Sequence, residues 1–167
     1  MHFPRTVVLV ALVATGCGPP SAAPTGSAAS SVTAAGTATV PAAAGERAPA
    51  STPGALADPA PTLTQLCTPG YTSTVRPPVA YTTALKRRQI ADLGYTDRAL
   101  SSYEEDHLVP LELGGAPRDP KNLWPEPIDS ARVKDREEDA LHIGVCTHRM
   151  SLADAQRKIL ADWGPAG

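Results

Sequence analysis

The chain has 167 residues, of which 18 are proline and 13 glycine, with 4% aromatic side chains and a formal net charge of −2 at pH 7. A chain this short and this poor in aromatic bulk can build one modest core rather than several. Its slight acidity offers no overall field to phosphates, which argues against a high-affinity, sequence-reading nucleic-acid binder.

At the N-terminus Arg5 precedes a short apolar run, Val7 to Val13. The run has about the length of a signal-peptide core and is too short to span a bilayer. Ala14-Thr15-Gly16-Cys17 follows. This ending resembles the lipobox of bacterial lipoproteins, although Ala14 stands where that motif more often has leucine. The resemblance implies that residues 1–17 form a signal peptide and that Cys17 is lipidated. The mature chain is then exported and lipid-anchored, facing outward from the membrane, with no transmembrane helix. Ordinary secretion is the other route. Residues 18–60 are almost entirely Ala, Pro, Ser, Thr and Gly, with no aromatic residue and three charges, Glu46, Arg47 and Asp58. So little apolar bulk cannot offset the entropy of ordering the segment, and the expectation is a disordered linker. The folded domain is expected over residues 61–167.

With Cys17 set aside, Cys67 and Cys146 remain. An even pair in an exported domain suggests a disulfide joining the start of the domain to a point near its end. Two unpaired thiols are the alternative. A metal pair is disfavoured, since neither cysteine has a close partner in a CxxC pattern.

Within the domain, Thr82 or Thr83 can cap a helix to about Leu93, with Gly94 ending it. Leu108-Val109-Pro110-Leu111-Glu112-Leu113 has strand character, Pro110 implying an edge or bend. Gly114-Gly115 makes a turn. Asn122-Leu123-Trp124 reads as a short strand stopped by Pro125 and Pro127. Asp129 or Ser130 then caps a helix to about Ile143. Ser151 with Asp154 approximates a capping box for a last helix, whose Leu152, Ala155, Ile159, Leu160 and Trp163 form an apolar stripe. The class is small α+β, with a short hairpin feeding a helix at its centre. Trp124 and Trp163 read as core anchors and His148 as a surface residue.

The informative segment runs Glu105-Asp106-His107-Leu108-Val109-Pro110-Leu111-Glu112-Leu113-Gly114-Gly115, then Asn122-Leu123-Trp124, then a polar helix. It resembles the HNH, or ββα-metal, endonucleases, strongly from Tyr103 to His142. The resemblance implies a metal-dependent hydrolase of DNA or RNA phosphodiesters. Asp106 is then a metal ligand and His107 the general base. Asn122 orients the imidazole or braces the loop. Such chemistry needs an activated water and a cation to stabilise charge on phosphate and leaving oxygen. A histidine titrating near neutrality suits the proton transfer.

The helix departs from the family's pattern. A further ligand is usual about nine residues after the middle Asn, which falls near Ala131, and alanine binds no metal. Asp135, Glu138 and His142 follow at helical spacing. Asp135 or Glu138 would complete an oxygen site suited to Mg²⁺, while His142 would favour Zn²⁺ or another transition metal; Mn²⁺ is a further possibility. The alternative for all three is a solvated helix face. Residues 61–167 carry 13 basic and 15 acidic side chains. Contact with nucleic acid therefore falls to local patches: Lys86, Arg87 and Arg88, with Arg76. A non-catalytic envelope lipoprotein that keeps an HNH-like scaffold for binding or structure is the competing expectation.

Overall fold

The computed structural model describes residues 47–166. The expected signal peptide, Cys17 and the linker up to residue 46 lie outside the described residues. The helices are α1 (Leu63–Leu66), α2 (Tyr71–Val75), α3 (Val79–Asp92), α4 (Ile128–Cys146) and α5 (Leu152–Trp163), and the strands are β1 (Tyr103–His107) and β2 (Leu123–Pro127). Single 3₁₀ turns occupy Leu100–Ser102 and Leu111–Leu113. The class is α+β, with one antiparallel two-stranded sheet and α4 leaving directly from the end of β2. Among the described residues no helix is long and apolar enough to cross a membrane.

Local chemistry explains most boundaries. Thr62 and Gln65 form a reciprocal capping box at the start of α1. Ser151 caps α5 by accepting from the Asp154 N–H at 3.1 Å. Gly94, at φ +70°, ends α3 in the left-handed region. The α3 helix begins at Val79, three residues ahead of Thr82, so neither Thr82 nor Thr83 is its cap. Pro78 takes that place, its fixed φ and missing N–H both suiting a helix start. At the other end of the chain α4 runs through Gly144 to Cys146, past the expected stop.

Two strand expectations are corrected. Residues 108–113 are not a strand; the strand lies just upstream, at Tyr103–His107. Leu108, Val109, Leu111 and Leu113 are all buried, so the segment is a plug in the core rather than a ribbon with one wet face. β2 continues through Pro125 and Pro127 instead of stopping before them. The Leu123 and Pro125 carbonyls accept from Gln89 Nε2 at 2.7 Å and the Tyr95 hydroxyl at 2.9 Å. These residues therefore turn their polar backbone away from β1, and a proline there forfeits no ladder hydrogen bond.

The domain also starts earlier than expected. From Arg47 onward the chain packs against the fold: Arg47 donates to the Gly164 and Ala161 carbonyls at 2.8 and 2.6 Å, and the Ala48 N–H to the Trp163 carbonyl at 2.9 Å. Thr52 is buried, and the Gly54 N–H donates to the Lys121 carbonyl at 2.9 Å. Backbone hydrogen bonding, which composition does not reveal, orders this stretch.

The core gathers Leu108, Val109, Leu113, Trp124, Leu141, Val145, Ala155, Ile159 and Trp163. The Cys67–Cys146 disulfide is formed, with Cα atoms 5.6 Å apart, and ties the end of α1 to the end of α4.

A candidate active site beside a buried lysine

The loop between β1 and β2 is folded around Asn122, which is wholly buried. Its Oδ1 accepts from the Val109 N–H at 2.8 Å, and its Nδ2 donates to the Val109 and Ala116 carbonyls at 3.0 and 3.1 Å. Of the two roles expected for Asn122, bracing the loop is the one its contacts perform. Gly115 sits so close beneath that a Cβ would lie 1.8 Å from the Val109 carbonyl oxygen, and Gly114 takes φ +82°. No other residue type closes this turn without displacing backbone.

The braced loop delivers the Pro117 carbonyl to His107. The imidazole Nε2 lies 3.0 Å from that oxygen. Facing an acceptor, Nε2 must carry the proton, which leaves Nδ1 as the ring's acceptor when the imidazole is neutral. Burial lowers the His107 pKa, with the Pro117 bond and Asp106 pulling the other way. His107 lines a cleft of 330 Å³ with Arg76, Lys86, Glu104 and Glu105 among its walls.

Of the four basic residues expected to meet nucleic acid, Arg76 and Lys86 line this cleft, and the four are not equivalent. Arg76, Arg87 and Arg88 are exposed. Lys86 is committed: its Nζ donates to the Leu100 and Tyr103 carbonyls at 2.8 and 2.6 Å, pinning α3 to the entry of β1. Glu105 has both carboxylate oxygens out of water and without a hydrogen-bond partner. Burial pushes its pKa up to about 8, against the pull of Lys86. Near neutral pH it is largely uncharged and does not repel an anion in the cleft.

On the other side of β1, Asp106 meets α4. The inward line of that helix is Ser130, Ala131, Lys134, Leu141 and Val145, all buried. Lys134 is the member that reaches Asp106. Its ammonium donates to Asp106 Oδ2 at 2.5 Å, to the His107 carbonyl at 2.9 Å and to Glu138. All three N–H groups are thus used, with the side chain 1% exposed. Desolvation opposes its charge, but Asp106, Glu138 and Glu126 outweigh it and hold the lysine pKa above its ordinary value.

Two carboxylates contact this ammonium and a third carboxyl, Glu126, lies beside Asp106, so with all three ionised two negative charges would be in excess. Glu126 is wholly buried, receives the Ser130 hydroxyl at 2.6 Å on Oε1 and has no partner on Oε2. Burial, then Asp106, raise its pKa. Protonation turns the orphaned oxygen into a donor, with Asp106 as the acceptor within reach. Burial and Asp106 push Glu138 upward too, against the pull of Lys134.

Of the residues expected to share a cation, then, Asp106 and Glu138 come together, but on Lys134. Asp135 is exposed, one residue beyond Lys134 and so about 100° around the helix from it. His142 lies about 12 Å further along α4 than Lys134, its Nε2 3.0 Å from the Leu66 carbonyl oxygen. There Cys67, His142 and Cys146 offer ligand atoms within 4.8 Å of one another, close enough for a metal ion. The two sulfur atoms are, however, joined to each other. Sequence reading missed Lys134 and Glu105. The signal available for Lys134 was its place four residues before Glu138 and three after Ala131, on the line that continues to Leu141 and Val145.

Comparison with protein-family models, with characterised proteins and with solved structures finds no match.

Proposed function

We propose that the domain is an exported phosphodiesterase of HNH type, an endonuclease acting on nucleic acid with His107 as general base. The observation that carries this reading is the His107–Pro117 hydrogen bond, which orients the ring and leaves Nδ1 to take a proton from an attacking water. The order β1, braced loop, β2, α4 supports it, with Asp106-His107 at the end of β1 and Asn122 just before β2. Arg76 at the cleft is the cation available to meet a phosphate. Neutral Glu105 lowers the repulsion that the acidic composition implies. The family's chemistry employs a divalent ion, Mg²⁺ first among those expected. The residues assigned to it do not fit one here, since Lys134 engages both Asp106 and Glu138. No step of this reading is routed through a metal.

The test uses the full chain with plasmid DNA and with RNA, in chelator and in Mg²⁺, Mn²⁺ or Zn²⁺. Cleavage is expected from the wild type and should fall by about 100-fold or more in His107→Ala, the usual contribution of a general base. Equal cleavage by His107→Ala sinks the reading.

Lys134 favours a second reading, an HNH-like scaffold that binds without cutting, since an internal ion pair replaces the expected metal. Absence of turnover by the wild type under every ion, with phosphate-backbone binding lost in Arg76→Ala, selects it. In both readings Cys17 anchors the chain to a membrane, and the disulfide supports export. Incorporation of labelled fatty acid that disappears in Cys17→Ser tests the anchor.

A further inference from the structure

We infer that Lys134 is the resident cation of this centre, so that the native protein takes no divalent ion at Asp106 and shortening Lys134 opens a site for one. The inference concerns occupancy alone and stands or falls separately from nuclease activity.

Three observations support it. First, the Lys134 ammonium is bound as a metal ion would be, by oxygens from separate elements: Asp106 Oδ2 from β1, the His107 carbonyl from the end of β1, and Glu138 from α4. A cation brought to the same oxygens would meet the ammonium at contact distance, and two like charges there repel strongly. Second, the lysine cannot easily withdraw. It is 1% exposed and all its donors are satisfied, so an escape to solvent must break three hydrogen bonds and leave Asp106 and Glu138 uncompensated. Third, the surroundings hold more oxygen than one ammonium requires. Glu126, at 0% exposure, keeps Oε2 without a partner beside Asp106. Taking away the ammonium and the outer methylenes leaves the oxygens that held it, Asp106 Oδ2, the His107 carbonyl and Glu138, around the vacated space, hard ligands of the kind that Mg²⁺ and Mn²⁺ prefer.

Bound Mn²⁺ counted by electron paramagnetic resonance tests this in the full chain, alongside melting in chelator and in Mn²⁺. For the wild type and for Asp106→Asn, Mn²⁺ uptake should be indistinguishable and melting unmoved by the ion. For Lys134→Ala, one Mn²⁺ should bind and melting should rise by about 5 °C or more over chelator, a shift typical of a well-occupied ligand on a domain of this length. The double variant Lys134→Ala with Asp106→Asn should lose that ion. If Lys134→Ala does not fold in chelator, folding on addition of Mn²⁺ supports the inference and failure to fold under either condition overturns its second half. Mn²⁺ bound by the wild type and lost in Asp106→Asn overturns its first.

Discussion

The two halves of α4 bury their inward faces by opposite means. The first half turns Ser130, Lys134 and Glu138 onto Asp106 and Glu126, so the water-free space beneath it is filled with charge. The second half turns Leu141 and Val145 onto the apolar core, and the disulfide fastens its end. Both halves exclude water, yet only the apolar one draws net stability from doing so. A buried ion pair roughly balances its desolvation when intact and is strongly destabilising when one partner is lost. The comparison teaches that this helix is held by its C-terminal half and aligned by its N-terminal half, where Asp106 and the His107 carbonyl fix its register against β1.

The largest effect should come from the fastened end. Replacing both cysteines, Cys67→Ser with Cys146→Ser, removes a link across 79 positions. The chain-entropy model puts the loss at about 4.5 kcal/mol, read by urea unfolding of the oxidised wild type against the variant. A loss under about 1 kcal/mol would show that the apolar packing of α4 and α5 alone secures this half.

Next is Lys134→Met, which keeps bulk but removes the charge. It strands Asp106 and Glu138 in a dry site and should destabilise by about 4 kcal/mol, the size seen when one partner of a buried pair is deleted. Ile159→Val in the apolar half should lose only about 1 kcal/mol, the usual penalty for one buried methyl. If the two variants unfold at the same urea concentration, the contrast between the halves fails.

How much of this was legible beforehand divides along the same line. The apolar stripe of α5, its Ser151 cap and the pairing of Cys67 with Cys146 follow from periodicity, local capping and cysteine parity, and the structure has all three. Lys134 was not legible. Lysine in a run such as Lys134-Asp135-Arg136-Glu137-Glu138 ordinarily marks a solvated face, and only the tertiary position of Asp106 makes burial of the ammonium favourable. The prolines of β2 misled for a related reason. A proline bars a strand only where its N–H is needed by a neighbour, and which edge of β2 faces β1 is a property of the assembled sheet. Residues 47–60 carry almost no side-chain signal, because backbone groups and one arginine dock them.

The smallest effect sharpens the comparison most, because it depends on pH. Glu126 is neutralised in the fold, its pKa raised above the ordinary glutamate value of 4.5 by burial and by Asp106. The folded state therefore holds this proton more tightly than the unfolded chain. The contribution is fully present below the ordinary glutamate pKa and is lost as pH rises from there through the folded value. Glu126→Gln carries no titrating proton, while its amide can still accept from Ser130 and donate to Asp106. Near pH 4 the variant and the wild type should unfold within about 1 kcal/mol of each other, the scale of one altered neutral hydrogen bond. As pH climbs toward 9 the wild type should weaken relative to the variant, which becomes the more stable protein. Urea midpoints measured across that range give the difference directly, with all other titrating groups common to both chains. A constant gap, or one that closes with rising pH, would mean that Glu126 is ionised in the fold and that the site keeps its negative charge beside the single ammonium of Lys134. Glu126 would then add no pH dependence to the ionic half of α4.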